Sequence, residues 1–294
     1  MKRRNFLWYS SLFIAGCSAT STASRVSTVK LPEKIRFAIT DVQGIDELKE
    51  KYDPFRAALE DVLETSVEFF PMDDLLTAAS ALQTNQLDLV WAGPSEYVTI
   101  HARTQATPLV SLIRSNYYAV LVVRADSGIQ SLADLKGKTV DMWKVGSTAS
   151  HLAGTKMLLD AGLMPQVDYK AVMTGENDLQ SLRLGKVDAL VSGNPRYRAA
   201  LKALNASEQD YPIVARGELL PGDVFVLSSA FSSAVGAEIQ ARMLRGQNKL
   251  LQGIRSVESL AVRFPEDSQF SVANDADYDM IREAYRAIGQ DKFL

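Results

Sequence analysis

The chain has 294 residues, 47% of them hydrophobic, and a mean hydropathy of −0.05. That composition supports a large buried core, and beyond the N-terminal segment no apolar run reaches the length of a membrane-spanning helix. Lys and Arg total 32 against 35 Asp and Glu, a formal net charge of −3. Taking away residues 1–16, which hold Lys2, Arg3 and Arg4 and no acid, lowers it by three to −6. An acidic body excludes nucleic acid as the expected partner. It leaves a small anion open, because local donors rather than net charge build such a site.

The N-terminus reads as an export signal. Met1-Lys2-Arg3-Arg4-Asn5 is basic, residues 6–15 are mostly apolar, and Gly16-Cys17 follows. Ile14-Ala15-Gly16-Cys17 resembles a bacterial lipobox, which implies lipidation of Cys17 and a membrane anchor. Cys17 is the single cysteine, so no internal disulfide is available. Arg3-Arg4-Asn5-Phe6-Leu7 also resembles a twin-arginine signal, and the export route stays open between the two. Residues 17–33 form a Ser/Thr/Ala-rich tether.

The body alternates strand and helix signals. Residues 34–40 alternate polar and apolar side chains, as a half-buried strand does. Asp53-Pro54 is expected to open a helix, with Phe55, Leu59, Val62 and Leu63 on one face. Residues 67–70 read as a strand, and Asp73 or Asp74 as the cap of a following helix. Residues 87–91 form a buried strand that turns through Gly93-Pro94-Ser95 into another helix. Residues 109–113, 117–123 and 138–143 are further strands, followed by a helix over 151–161. Strands at 170–173, 188–191, 213–215 and 224–227 come next, and helices over 234–251 and 277–288 close the chain. Such alternation predicts an α/β protein with largely parallel sheets.

The turn Gly146-Ser147-Thr148-Ala149-Ser150 lies between a strand and a helix. Helix first-turn N–H groups lack intrahelical partners and the dipole adds positive potential there. Glycine admits close approach and the hydroxyls add donors, so the turn suits a phosphate-like anion. The same residues also serve as an ordinary N-cap. Ligands bind off the carboxyl ends of the strands in open α/β sheets. The turns at residues 71–74, 93–95 and 146–150 fall there, and two facing lobes would bring them together.

With these residues in place, the chain resembles the substrate-binding lipoproteins of phosphonate, phosphite and phosphate ABC importers. The resemblance runs from about Lys34 to beyond Leu227. Its landmarks are Tyr52-Asp53-Pro54-Phe55, the Leu-Asp-Leu-Val-Trp-Ala-Gly-Pro run from Leu87, the Leu-Ala-Asp-Leu-Lys-Gly-Lys-Thr-Val run from Leu132, Gly146-Ser147-Thr148, and Leu220-Pro221-Gly222-Asp223. It implies a type II periplasmic binding fold: two lobes, each a mixed, mostly parallel sheet flanked by helices, with a ligand cleft between them. Lobe 1 is expected over 34–122 and 225–294 and lobe 2 over 123–224, with hinges near 122–124 and 224–226.

The resemblance places Ser147, Thr148, Ser150, Ser95, Tyr117, Asp223, Asp74 and Asn177 at the ligand. His151 adjoins the turn and is a further candidate; Trp91 and Trp143 are candidates for the cleft or the core. Several positions depart from the family pattern. Asp74 stands where a tyrosine is usual, Ala92 where an aromatic is usual, and Asn177 where a histidine is usual. A carboxylate used for amine-bearing ligands is replaced near Asn194-Pro195.

The implied function is capture of a small phosphorus oxyanion by hinge closure and delivery to an ABC permease. The protein would be a lipid-anchored monomer of the bacterial cell envelope, facing the periplasm or the cell exterior. Two alternatives keep the fold: an amine-bearing or neutral solute, with Asp74 as the discriminating residue, or an envelope sensor subunit. No cofactor, metal or nucleic acid is expected. His101 and His151 lie far apart in sequence, Leu132 occupies the first glycine position of a P-loop ending at Gly137-Lys138-Thr139, and no nucleophile, base and oxyanion donor assemble into an enzyme site.

Overall fold

The computed structural model describes residues 29–294 apart from Asp41, Gln43, Asp73, Asp74, Glu176 and Asn177. Cys17 and the expected signal and tether up to residue 28 therefore lie outside the described residues, as do Asp74 and Asn177.

Strands β1 (Lys34–Ile39), β2 (Ser66–Phe69), β3 (Leu89–Ala92), β4 (Thr107–Ile113), β10 (Asp223–Leu227) and β11 (Gln269–Val272) form one sheet. Its order is β11-β4-β10-β3-β1-β2. Strands β5 (Tyr118–Val123), β6 (Thr139–Asp141), β7 (Lys170–Val172), β8 (Ala189–Gly193) and β9 (Ile213–Leu219) form the other, in the order β7-β6-β8-β5-β9. Helices α1 (Ile45–Leu63), α2 (Leu75–Gln83), α3 (Pro94–Thr104), α7 (Ser233–Arg245), α8 (Gln247–Arg255), α9 (Glu258–Arg263) and α10 (Asp279–Ala287) flank the first sheet. Helices α4 (Gly154–Asp160), α5 (Asp178–Arg183) and α6 (Asn194–Ala203) serve the second.

Both sheets are mixed, as expected. Strand β1 pairs parallel with β2 and β3, and β6 parallel with β7 and β8. The antiparallel share is larger than strand–helix alternation suggests, because β5 and β10, which carry the chain between sheets, each run antiparallel to both neighbours. The crossings fall at residues 114–117 and 220–222. This is earlier than the 122–124 and 224–226 expected, and it moves β5 from the first lobe to the second. Strand periodicity marks residues 118–123 as a strand but cannot say which sheet supplies its partners.

Two helices differ from expectation. Helix α1 begins at Ile45, with Pro54 inside it. Leu48, Tyr52, Phe55, Leu59 and Leu63 are all buried along one face. At roughly 1.5–3 kcal/mol for each such side chain, that face outweighs the cost of about 3 kcal/mol for an interior proline. The expected helix over 234–251 is two helices broken at Gly246, where a Cβ would lie 2.5 Å from Val62 Cγ2. Trp91 is core: its ring centroid lies 5.1 Å from that of Phe225 and 4.9 Å from that of Phe55.

The first sheet is covered by one apolar cluster on each face. The second of these clusters includes Ala149 and Leu152 from the opposite lobe. The lobes therefore share apolar core beside the cleft.

Candidate functional site

Strand β6 ends at Asp141, whose buried carboxylate organises the loop leading to the hydroxyl turn. It accepts hydrogen bonds from the Trp143 N–H at 3.0 Å and the Thr174 N–H at 3.1 Å, and another from the Thr174 hydroxyl. Trp143 is held with φ of 61°, a left-handed conformation that aromatic residues seldom adopt unless the surroundings impose it. The turn then reaches Ser147, whose Oγ accepts from the Ser150 N–H at 3.4 Å. The first turn, Thr148–Ala153, is a π-helix that continues into α4. Such widened turns recur at functional sites. Gly154 permits it: a Cβ there would lie 2.3 Å from Val191 Cγ1 on β8.

The hydroxyls of the turn part ways. Thr148 Oγ1 donates to Ser95 Oγ at 2.8 Å and accepts from the Ser95 N–H at 3.2 Å. Ser95 opens α3 in the other lobe, so this pair links the lobes directly. Ser95 Oγ in turn donates to Glu96 at 2.8 Å. Thr148 is therefore engaged in lobe contact and is absent from the lining of either adjoining cavity.

On one side of this link is a cavity of about 270 Å³ between the lobes. Ser147, Ala149, Ser150 and Trp143 line it from the second lobe, with Gly193, Pro195, Arg196 and Ala199. Arg114 and Tyr117 come from the first crossing, and Ser259, Val262 and Arg263 from α9. Asp223 lies behind two of the arginines. Its Oδ1 takes Arg114 at 2.5 Å, and its Oδ2 takes Arg263 at 2.9 Å and Trp91 Nε1 at 3.2 Å. Arg114 is 3% exposed and stacks on Tyr117 with its guanidinium carbon 3.9 Å from the ring centroid. Its Nε has no hydrogen-bond partner among the described residues. Arg196 stacks on Trp143 at 3.7 Å. Among the described residues no carboxylate lines the cavity. Three arginines against Asp223 give these four groups a formal charge of +2. Burial pushes the Tyr117 phenol up to about 12, so it is a neutral hydroxyl at physiological pH.

On the other side is a cavity of about 280 Å³, lined by Ser95, Glu96, Lys144, Gly146, His151, Tyr285 and neighbours. Glu96 and Lys144 offset each other there. The Gly146 N–H donates to His151 Nδ1 at 3.1 Å. That nitrogen must then be unprotonated, and burial lowers the imidazole pKa further. His151 is a neutral brace of the turn.

The expected site residues thus divide. Ser147, Ser150 and Tyr117 meet at the arginine-lined cavity, together with Trp143. Ser95 and His151 face the second cavity. Thr148 joins the lobes, and Asp223 holds arginines with both oxygens engaged. Sequence reasoning missed Arg114, Arg196 and Arg263. A signal for Arg196 existed: Asn194-Pro195-Arg196 follows β8, which ends on Gly193, much as Gly93-Pro94-Ser95-Glu96 follows β3, at the carboxyl end of a strand. Among the described residues no cluster of His, Cys, Asp and Glu could hold a metal ion, and no helix is long and apolar enough to cross a membrane.

Two lobes thus enclose an interlobe cavity that carries arginines and hydroxyls on mostly apolar walls. The family described as "ABC transporter, phosphonate, periplasmic substrate-binding protein" matches residues 37–278, and the chain belongs to it. The chain is 21% identical over 230 residues to the phosphonates-binding periplasmic protein of Escherichia coli, covering 75% of this chain and 67% of that protein. Among solved structures it resembles PhnD1 from Prochlorococcus marinus in complex with methylphosphonate, with a TM-score of 0.69 and 19% identity over 88% of this chain and 100% of that one. It also resembles the periplasmic aliphatic sulphonate binding protein SsuA from Escherichia coli, with a TM-score of 0.62 and 16% identity over 90% and 89% of the two chains. These structural likenesses establish the fold. Membership of the family implies an exported protein that works with a small ligand and a permease.

Proposed function

We propose that the protein captures an anion with an XO₃-type headgroup, a phosphonate or a close phosphorus oxyanion, in the arginine-lined cavity. The observation that carries this is the charge and donor content of that cavity. Arg114, Arg196, Arg263, Ser147, Ser150 and Tyr117 supply donors, and the carboxylate behind them, Asp223, is saturated by two of the arginines and an indole. Charge-assisted hydrogen bonds to guanidinium groups are the stronger kind, and they would replace part of the hydration shell of the ligand. The second cavity is lined by one glutamate and one lysine and no arginine among the described residues. The names of the E. coli relative and of PhnD1 support a phosphorus headgroup, and that of SsuA keeps a sulfonate as the competing one.

Capture proceeds by hinge closure at residues 114–117 and 220–222, with the Thr148–Ser95 pair marking the closed state. Asp74 and Asn177, expected at the ligand, lie outside the described residues; in this reading Cys17 carries the lipid that tethers a monomeric protein to the envelope beside its permease.

The test is isothermal titration of the protein with methylphosphonate, phosphite, phosphate and methanesulfonate. One phosphorus oxyanion should bind, and Ser147→Ala with Ser150→Ala should weaken it by about tenfold or more, the loss of one hydrogen bond to a charged group. Binding of methanesulfonate in preference to every phosphorus compound would move the headgroup to sulfur. Silence with all four anions would refute the proposal.

A further inference from the structure

Two loops leave the carboxyl ends of the paired strands β6 and β7, and one side chain ties them together. Strand β6 ends on Asp141, which is fully buried. A buried carboxylate is costly unless donors satisfy it, and here they come from both loops. The Trp143 N–H donates to Oδ1 at 3.0 Å, the Thr174 N–H to the same oxygen at 3.1 Å, and the Thr174 hydroxyl to Oδ2. The Trp143 carbonyl accepts from the Gly175 N–H at 2.9 Å. Both backbone groups of Trp143 are therefore fixed.

That fixation holds Trp143 at φ 61°. A bulky residue stays in this region only where its surroundings over-determine the backbone. The consequence is seen at the cavity. The indole lines it, with the Arg196 guanidinium carbon 3.7 Å from the ring centroid. One residue on, the Lys144 carbonyl accepts from the Ser147 N–H at 3.2 Å, so the start of the hydroxyl turn hangs from the same loop. With φ in the ordinary negative range the indole would leave the wall, and the turn would shift with it.

We infer that Asp141 is a positioning residue for anion capture and that Trp143 is the wall it positions. This rests on the proposed oxyanion reading of the cavity. Asp141 is absent from the cavity lining and acts through the loop, setting where the indole and the Ser147–Ser150 turn stand when the ligand arrives.

The experiment titrates methylphosphonate, phosphite, phosphate and methanesulfonate into the protein and its variants, at a temperature where circular dichroism shows each to be folded. Asp141→Ala should weaken whichever anion the unaltered protein binds by at least tenfold, and Trp143→Gly likewise. Asp141→Asn keeps an oxygen for the two N–H groups and should recover most of the loss. Asp141→Ala added to Trp143→Gly should cost less than a further threefold, because glycine takes the left-handed conformation unaided and the indole is already gone. Trp143→Gly should also melt above Trp143→Ala, the reverse of the usual order for these two residues, since only glycine is at ease with positive φ. These last two variants serve if Asp141→Ala does not fold. Asp141→Ala or Trp143→Gly binding the anion within threefold of the parent, losses that multiply in full in the double variant, or Trp143→Ala melting above Trp143→Gly would each overturn the inference and leave the oxyanion reading in place. Silence of the unaltered protein with all four anions would overturn both.

Discussion

Replacing Asp223 by asparagine removes the counter-charge from two arginines at once. The side chain is isosteric, so packing is kept and the cost is electrostatic. Arg114 is 3% exposed, so solvent screens its charge only weakly. Breaking a buried pair by removing one partner costs about 3–5 kcal/mol. Arg263 is 29% exposed, so its share is screened and adds under about 1 kcal/mol. At roughly 2–4 °C per kcal/mol for a chain of this size class, the ligand-free Tm should fall by about 6–24 °C. The assay is calorimetric melting of Asp223→Asn beside the parent, each without ligand and with the bound oxyanion at about a hundred times Kd. Saturation at that level adds about 2.7 kcal/mol to any native state that binds. The Tm deficit of the variant should also narrow at one fixed ligand concentration, because the anion supplies part of the missing charge and its affinity rises. A ligand-free Tm within about 2 °C of the parent would show that Asp223 is not the counter-ion the geometry makes it. A deficit unchanged by the anion would detach the arginine pair from the ligand.

Thr148→Val should leave the Ser95 N–H and Oγ without their cross-lobe partner, at a cost of about 1–3 kcal/mol to the closed form. Small-angle scattering should then show a larger radius of gyration without ligand, and an unchanged radius would refute the link. His151 is held neutral, its folded-state pKa lowered below the ordinary 6.5 by burial. The unfolded chain therefore binds the extra proton first, and this residue's contribution is fully present above about pH 6.5 and lost as pH falls below it. The Tm difference between the protein and His151→Gln, followed from pH 7.5 to 5, should shrink toward acid, and a difference constant with pH would sink the assignment. Gly154→Ala should destabilise by about 1–3 kcal/mol through contact with Val191. Val191→Ala in the same chain should recover part of it, and strictly additive melting shifts would show that the two residues do not meet.

Much of the architecture is legible in the sequence. Alternation locates β1, and short apolar runs locate β4, β8 and β10, within a few residues, and the hydroxyl turn announces itself by composition. What sequence does not show is partnership. Arg114, Arg196 and Arg263 stand on a crossing, a helix start and a helix end, and only tertiary pairing brings them to one cavity. Asp223 looks like a ligand contact because its position matches a family aspartate, yet two guanidinium groups and an indole occupy its oxygens. The start of α1 is misjudged when local proline chemistry is weighed and the buried face running from Leu48 is not. Ser95 and His151 are grouped with Ser147 by proximity along the chain or in the expected cleft. The Thr148–Ser95 bond then divides that cleft into two spaces.

That division bears on how ligand and closure are coupled. The lobes meet through Thr148 and Ser95 and through Ala149 and Leu152, which join the apolar cluster of the first lobe. None of these contacts requires a ligand. A ligand shifts an equilibrium only by its differential affinity for the two states. Under the proposed hinge closure, that differential would come from groups standing on different lobes: Arg114 and Arg263 on one side, Arg196 and the Ser147–Ser150 turn on the other. An anion that reaches both sets at once would favour the closed form over the open one, whereas a ligand that reaches only one set would bind without driving closure. Variants on either lobe should therefore weaken the same anion under this reading, and loss confined to one lobe would separate binding from closure.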